Sequence, residues 1–246
     1  TLTKVDKDLA SLTITLMEEY EASANIDDGS YKSFLDTLNS ESDTDLSTLD
    51  NNINAVTSPE GKALLNQVKL TLTDYDTSLE ALIHQKQTIG FNGSSGLKGK
   101  ISLLGSTVLE KISFLSLIEQ EFLTVREAEK DFIFEPTNTN KKSFMEQYKQ
   151  FYEKVLDFGL DERFGDIINQ YFAAMQNYDT SNNALVTLQH NFDKAKKAFH
   201  QSRFSATDFM QDAVQQARQQ ARVSSEKASV GLIIVSLIVA ISCSIM

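Results

Sequence analysis

Gly90, Gly93, Gly96 and Gly99 fall within "IGFNGSSGLKGKI" (89–101), so four of the chain's ten glycines sit in one short stretch. Glycine-rich turns ahead of a helix can cradle phosphate on backbone N–H groups, which makes this the first place to look for chemistry. A Walker-type loop, however, follows a buried strand and sets Lys then Ser or Thr directly after its last glycine. Here the preceding "ALIHQKQT" has helical patterning, and "GLKGK" lacks the hydroxyl. Asn92-Gly93 is a turn dipeptide, and Ser94 or Ser95 is placed to cap the next helix. The stretch reads as a joint between helices. By pattern alone, Asn92-Gly93-Ser94 also fits a glycosylation sequon.

Other reactive side chains form no constellation. His84, His190 and His200 share no metal-like spacing with each other or with Cys243, the single cysteine. One cysteine allows no intrachain disulfide and leaves the redox compartment open. No nucleophile, base and orienting group stand together, so no enzyme activity, metal or cofactor is expected. The cations are more telling by position. Arg203 continues the inward spacing of Phe192, Ala195 and Phe199 by four residues, and Lys4 and Lys7 lie three apart on one face of the first helix. Arg126 and Lys130 are one turn apart with Glu127, Glu129 and Asp131 beside them, a pattern suited to ion pairing within and between helices.

These residues need helices to position them. The chain has 246 residues, 41% hydrophobic and 23% charged, with two prolines, no tryptophan and no strand-like alternation. An all-α fold with a sizeable core follows. The net charge of −11 is uneven: residues 1–95 carry 6 Lys and no Arg against 16 Asp and Glu, a local −10. The remainder balances 17 against 18, and an acidic chain of this kind lacks the basic stripe that nucleic acid requires.

Periodicity predicts a helix over 2–24, with Leu2, Val5, Leu9, Leu12, Ile14, Met17 and Tyr20 as a loose stripe. Residues 31–58 are weakly periodic and read as shorter helical pieces. Ser58-Pro59 opens a helix reaching about Thr88. One helix then runs from Leu97 through Phe132 to a stop at Pro136, and another of roughly 18 residues buries Phe144, Tyr148, Phe151 and Val155. From Gly165 to Gly231 there is neither Gly nor Pro, which predicts one helix of about 65 residues, about 100 Å long. About six helices in an elongated, two-tier bundle accommodate such a length. The uncharged "SVGLIIVSLIVAISCSIM" (229–246) would rise about 27 Å as a helix, close to the ~30 Å hydrocarbon thickness, and is expected to be a transmembrane span. The chain begins with Thr1 rather than Met, as a fragment would.

The glycine stretch, with Gly90, Asn92, Ser95, Gly96, Leu97 and Gly99, precedes "VREAEKDFIF" (125–134), with Arg126, Glu129, Lys130, Asp131 and Phe132. This pair of motifs, in this order and at this separation, resembles the helical bimodular sensor domains of bacterial chemoreceptors and sensor kinases. The resemblance covers essentially residues 1–228 and implies two stacked four-helix modules in the periplasm, between two spans of the inner membrane. The first span would precede Thr1. It further implies a homodimer that binds a small organic acid, of the dicarboxylate or acetate type, or that reads a periplasmic binding protein instead.

A carboxylate ligand needs cationic or hydroxyl donors, preferably guanidinium forks, inside a bundle. The resemblance therefore makes Arg203 the leading ligand contact, since the family carries an arginine at about this place on its last helix. Lys4 and Lys7 stand where the family often has an arginine pair, although lysines offer point charges rather than forks. Arg126 and Lys130 complete the candidates. Two other readings compete. One is a sensor kinase domain with a protein stimulus docking on the acidic first 95 residues. The other is a tail-anchored coiled-coil membrane protein, against which "VQQARQQARVSSEK" has alanine where a zipper needs bulky layers.

Overall fold

Good helix formers, broken by few Gly and Pro, give seven α-helices and no strand among the described residues. These are α1 (Leu2–Ser23), α2 (Tyr31–Ala55), α3 (Pro59–Ile89), α4 (Gly96–Ile112), α5 (Ser116–Phe134), α6 (Asn138–Asp157) and α7 (Asp161–Ser244). The computed structural model describes the backbone of residues 2–244 and the side-chain surroundings of 2–227. Two compact units emerge, one from Thr1–Tyr20, Ser40–Tyr75 and Lys196–Met246, the other from Glu21–Asn39 and Asp76–Ala195.

Several starts and stops follow their local chemistry. Ser58 Oγ accepts from the Gly61 N–H at 2.9 Å, capping α3 directly before Pro59. Thr137 Oγ1 accepts from the Asn140 N–H at 3.2 Å to open α6, just after Pro136. The glycine stretch is a joint, as read. Gly90 has φ 106° and Gly96 φ 54°, conformations that side chains rarely adopt, and the Ser94 N–H donates to Asn92 Oδ1 at 2.8 Å. Ser95 occupies the cap position of α4, yet its side chain makes no cap hydrogen bond.

Three expectations change. Residues 31–55 form one helix of 25 residues rather than short pieces, because Leu38 and Leu49 reach buried positions despite a polar sequence. In α1 the buried row is Val5, Leu9, Leu12 and Leu16, whereas Ile14 and Met17 are 60% and 56% exposed. The single helix expected over 97–132 is two, α4 and α5, with the chain turning at residues 113–115. No Gly or Pro marks this turn. Ser113 Oγ donates to the Glu110 carbonyl at 2.9 Å, closing α4, and the Leu115 N–H donates to the Ile112 carbonyl at 2.8 Å. Phe114 then meets α7, with the Arg163 guanidinium 5.3 Å from its ring centre and the Phe164 ring 6.2 Å away. Phe114 itself stays 62% exposed, and the turn is held by its flanks, with Ile112 and Ile118 buried in the core and Leu115 packed against it.

The unit containing α4, α5, α6 and the start of α7 has one core, built from Ile101 and Val108, Phe122 and Val125, Phe144 and Phe151, and Ile168 and Tyr171. Lys154 pairs with Glu121 at 3.0 Å, and Asn140 Nδ2 donates to the Asp131 carbonyl at 3.3 Å, so α5 and α6 run antiparallel. Phe122 packs 4.9 Å from Phe151 and 5.2 Å from Tyr171 in tilted and edge-on geometry. The other unit gathers α1, α2, α3 and α7 around Leu9, Leu49, Leu65, Leu72, Phe199 and Met210. There the Tyr75 hydroxyl donates to the Leu16 carbonyl at 3.2 Å, and Thr71 and Ser202 share a buried 2.6 Å hydrogen bond.

The expected membrane span, 229–246, lies outside the residues whose side chains are described. Among the described residues no helix is long and apolar enough to cross a membrane.

Candidate functional site

From Lys196 onward, where α7 belongs to the unit of α1, α2 and α3, the helix carries two adjacent rows. Phe199, Ser202, Ala206 and Met210 are buried. Lys196, His200, Arg203 and Thr207 each follow by one residue or nearly so, at half-buried positions about 100° around the helix. The expectation that Arg203 continues the inward row is therefore corrected. The row steps by three and then four, as 3.6 residues per turn demand, and Ser202 takes the place.

This margin is what gives Arg203 its character. Its Nε is buried without a hydrogen-bond partner, and so is Thr207 Oγ1, one turn further on. Among the described residues Arg203 makes no ion pair. An orphaned buried donor costs about 1–3 kcal/mol, more when charged. His200 lies below the ordinary imidazole range, first through burial and then through the Arg203 and Lys196 cations, so it is neutral at pH 7. Lys196 Nζ sits 3.8 Å over the Tyr20 ring, which fixes the ammonium by cation–π attraction. Lys196 and Arg203 are two turns apart, about 10 Å along the axis. One helix face thus presents two cations, of which Lys196 is held over Tyr20, with a neutral imidazole and a hydroxyl that has no hydrogen-bond partner, and among the described residues no carboxylate pairs with the guanidinium.

Lys4 and Lys7 stand elsewhere in character. Both are exposed, and Lys4, 75% exposed, reaches Asp8 only at 4.0 Å. They are solvated charges on α1.

Arg126 is a nearly buried, ion-paired cation of the other unit. Its guanidinium, 12% exposed, donates from Nη1 to Glu129 Oε2 across one turn of α5. The Tyr171 hydroxyl donates to the same oxygen at 2.6 Å. Burial raises the Glu129 pKa against the pull of Tyr171, Arg126 and Lys130, and burial likewise raises that of Tyr171. Gly105 of α4 makes room for the cluster: a Cβ there would stand 2.5 Å from Arg126 Cζ. Lys130 is exposed. Both cations border an open groove of about 540 Å³, together with Asn92, Gly93, Lys98 and Ser102. The two sequence motifs therefore meet in space.

Reading the sequence missed Thr207, Lys196, Tyr171, Lys98 and Ser102. Only Gly105 left a trace, as a glycine inside a helical pattern, where it costs about 1 kcal/mol unless something needs the space. Among the described residues no group of three or more His, Cys, Asp or Glu could hold a metal ion. No family model matches this chain, and no curated protein matches it.

Proposed function

We propose that this chain is the extracytoplasmic sensing domain of a bacterial chemoreceptor, residing in the periplasm and attached to the inner membrane through residues 229–246. It binds a small organic acid and passes the signal along α7. The observation that carries this reading is the half-buried Arg203 guanidinium, whose Nε is buried without a partner beside an equally unpartnered Thr207 hydroxyl. Both atoms are closed off from water in this conformation, so a carboxylate supplies what both lack only as the side chains over them give way. It accepts two parallel N–H bonds from the fork of Arg203 and one from Thr207, and a second carboxylate on the same molecule reaches toward Lys196.

The signal requires only differential affinity. An anion that binds one placement of α7 and not the other favours it by RT ln(1 + [L]/Kd) in free energy, and any affinity for the second placement reduces that shift. The protein acts as a homodimer, and the exposed Ile14 and Met17 of α1 offer apolar surface for the contact. Isothermal titration of the chain in mild detergent against acetate, succinate, malate and citrate tests the reading. One acid should bind, and Arg203→Ala should weaken it at least tenfold while leaving the helical circular dichroism unchanged. Binding that survives Arg203→Ala would move the site elsewhere. A folded chain silent to all four acids would point to a stimulus carried by another protein.

A further inference from the structure

A second cavity lies in the unit built from residues 21–39 and 76–195, between α6 and α7 beside the end of α5. It measures about 530 Å³, within the range of roughly 300–1,000 Å³ typical of small-molecule sites. Its floor is apolar and belongs to the core: Phe132, Phe144 and Met175 are 3%, 2% and 1% exposed. Met145 stands at the rim, 40% exposed. The mouth carries one ion pair, Lys141 Nζ to Asp179 Oδ2 at 2.7 Å, linking α6 to α7. The pair is open to water, with the two side chains 42% and 23% exposed.

The chemistry of the mouth selects the ligand. A simple anion would gain Lys141 but leave Asp179 facing a like charge. A simple cation would gain Asp179 at the expense of Lys141. A zwitterion adds no net charge and gives each member of the pair a second partner, its carboxylate to the ammonium of Lys141 and its ammonium to the carboxylate of Asp179. Phe132, Phe144 and Met175 offer no hydrogen bond and suit an apolar part of the ligand, while Gln176, Asn177 and Thr180 of α7 line the same cavity beside the ion pair. Two methionines let the walls adapt to aliphatic or aromatic shapes and favour sulfur–aromatic contact.

We propose that this cavity binds an α-amino acid with a large apolar side chain, with the ammonium and carboxylate held at Asp179 and Lys141 and the side chain on the Phe–Met floor. The site uses none of the residues assigned to the organic acid, so it stands or falls independently of that reading.

Isothermal titration of the full chain in mild detergent with L-phenylalanine, 3-phenylpropionate and phenethylamine decides it. L-phenylalanine should bind saturably, and loss of either charge from the ligand should weaken binding at least tenfold. Asp179→Asn and Lys141→Met should each do the same, with the melting curve confirming a folded chain. Met145→Trp, which crowds the mouth and leaves the ion pair in place, should also abolish binding and serves if the charge variants fail to fold. Arg203→Ala should leave L-phenylalanine binding unchanged. Equal binding of 3-phenylpropionate or phenethylamine, survival of binding in Met145→Trp, or no heat with L-phenylalanine on a folded chain would each overturn the proposal.

Discussion

Alanine at Gly105 should destabilise the protein when Arg126 is present and stabilise it when Arg126 is absent. A Gly-to-Ala change inside a helix ordinarily gains about 0.8–1.0 kcal/mol. At this position the added Cβ would lie 2.5 Å from Cζ and 2.9 Å from Nε of Arg126, and closer still to Nη1, so the guanidinium must move. Moving it separates it from Glu129, whose side chain is only 4% exposed. Breaking one partner away from a buried pair costs about 3–5 kcal/mol. The Tyr171 hydroxyl stays on the same oxygen at 2.6 Å, and Glu129 can take up a proton, so part of that cost is recovered. Allowing for the helical gain, the net loss should be about 1–3 kcal/mol. At about 2–4 °C per kcal/mol, the melting temperature drops by several degrees. In an Arg126→Ala background the collision is gone, and Gly105→Ala should gain up to about 1 kcal/mol. Urea denaturation of all four proteins, followed by circular dichroism, closes the cycle. The same effect in both backgrounds would refute the reading that Gly105 is needed to make room for the Arg126 guanidinium.

Further outcomes follow from other parts of the molecule. Asp45 is raised to about 6, by burial and then by Glu41 one turn before it. A folded pKa above the unfolded 3.8 means that the fold binds this proton more tightly, so its contribution to stability falls as pH rises from about 4 to 6. Asp45→Asn should therefore raise the urea midpoint at pH 7 and leave it close to wild type at pH 3.5. Gly90→Ala, at φ 106° with the Ser95 carbonyl carbon 2.7 Å from the new Cβ, should cost about 2 kcal/mol or more in thermal melts. Gly93→Ala, where nothing lies within 4 Å, should cost far less. Thr71→Val, which leaves Ser202 without its 2.6 Å partner, should cost about 1–2 kcal/mol, and adding Ser202→Ala should cost less than the sum of the two singles.

Helix content was legible because hydrophobic periodicity and caps are local. Ser58-Pro59, Pro136 and the row Phe144, Tyr148, Phe151, Val155 all appear where the sequence placed them. The turn at 113–115 was not legible, because Ile112, Leu115 and Ile118 keep three-residue steps across it and no Gly or Pro marks the reversal. Polarity likewise hid α2, whose few apolar side chains suffice once other helices cover them. Among the cations, spacing found Arg203 and Arg126 and separated neither from the exposed Lys4, Lys7 and Lys130. What distinguishes them is partnership. Arg126 is answered by Glu129 of its own helix, a pairing that the local spacing suggested, while among the described residues Arg203 has no such partner, and what other helices bring or fail to bring beside a cation leaves no mark in a local pattern.

That contrast also supplies the most direct measurement. A cation kept for a ligand is a liability without it, since replacing an unpaired, half-buried charge by an apolar side chain of similar length is neutral or stabilising. Thermal unfolding of the chain and of Arg203→Met should be compared with and without 10 mM succinate. The ligand-free variant should melt at or above the temperature of the unsubstituted chain, and succinate should raise the melting temperature of the unsubstituted chain alone. A variant that melts several degrees lower without ligand, and still responds to succinate, would make Arg203 a structural residue and place the acid elsewhere.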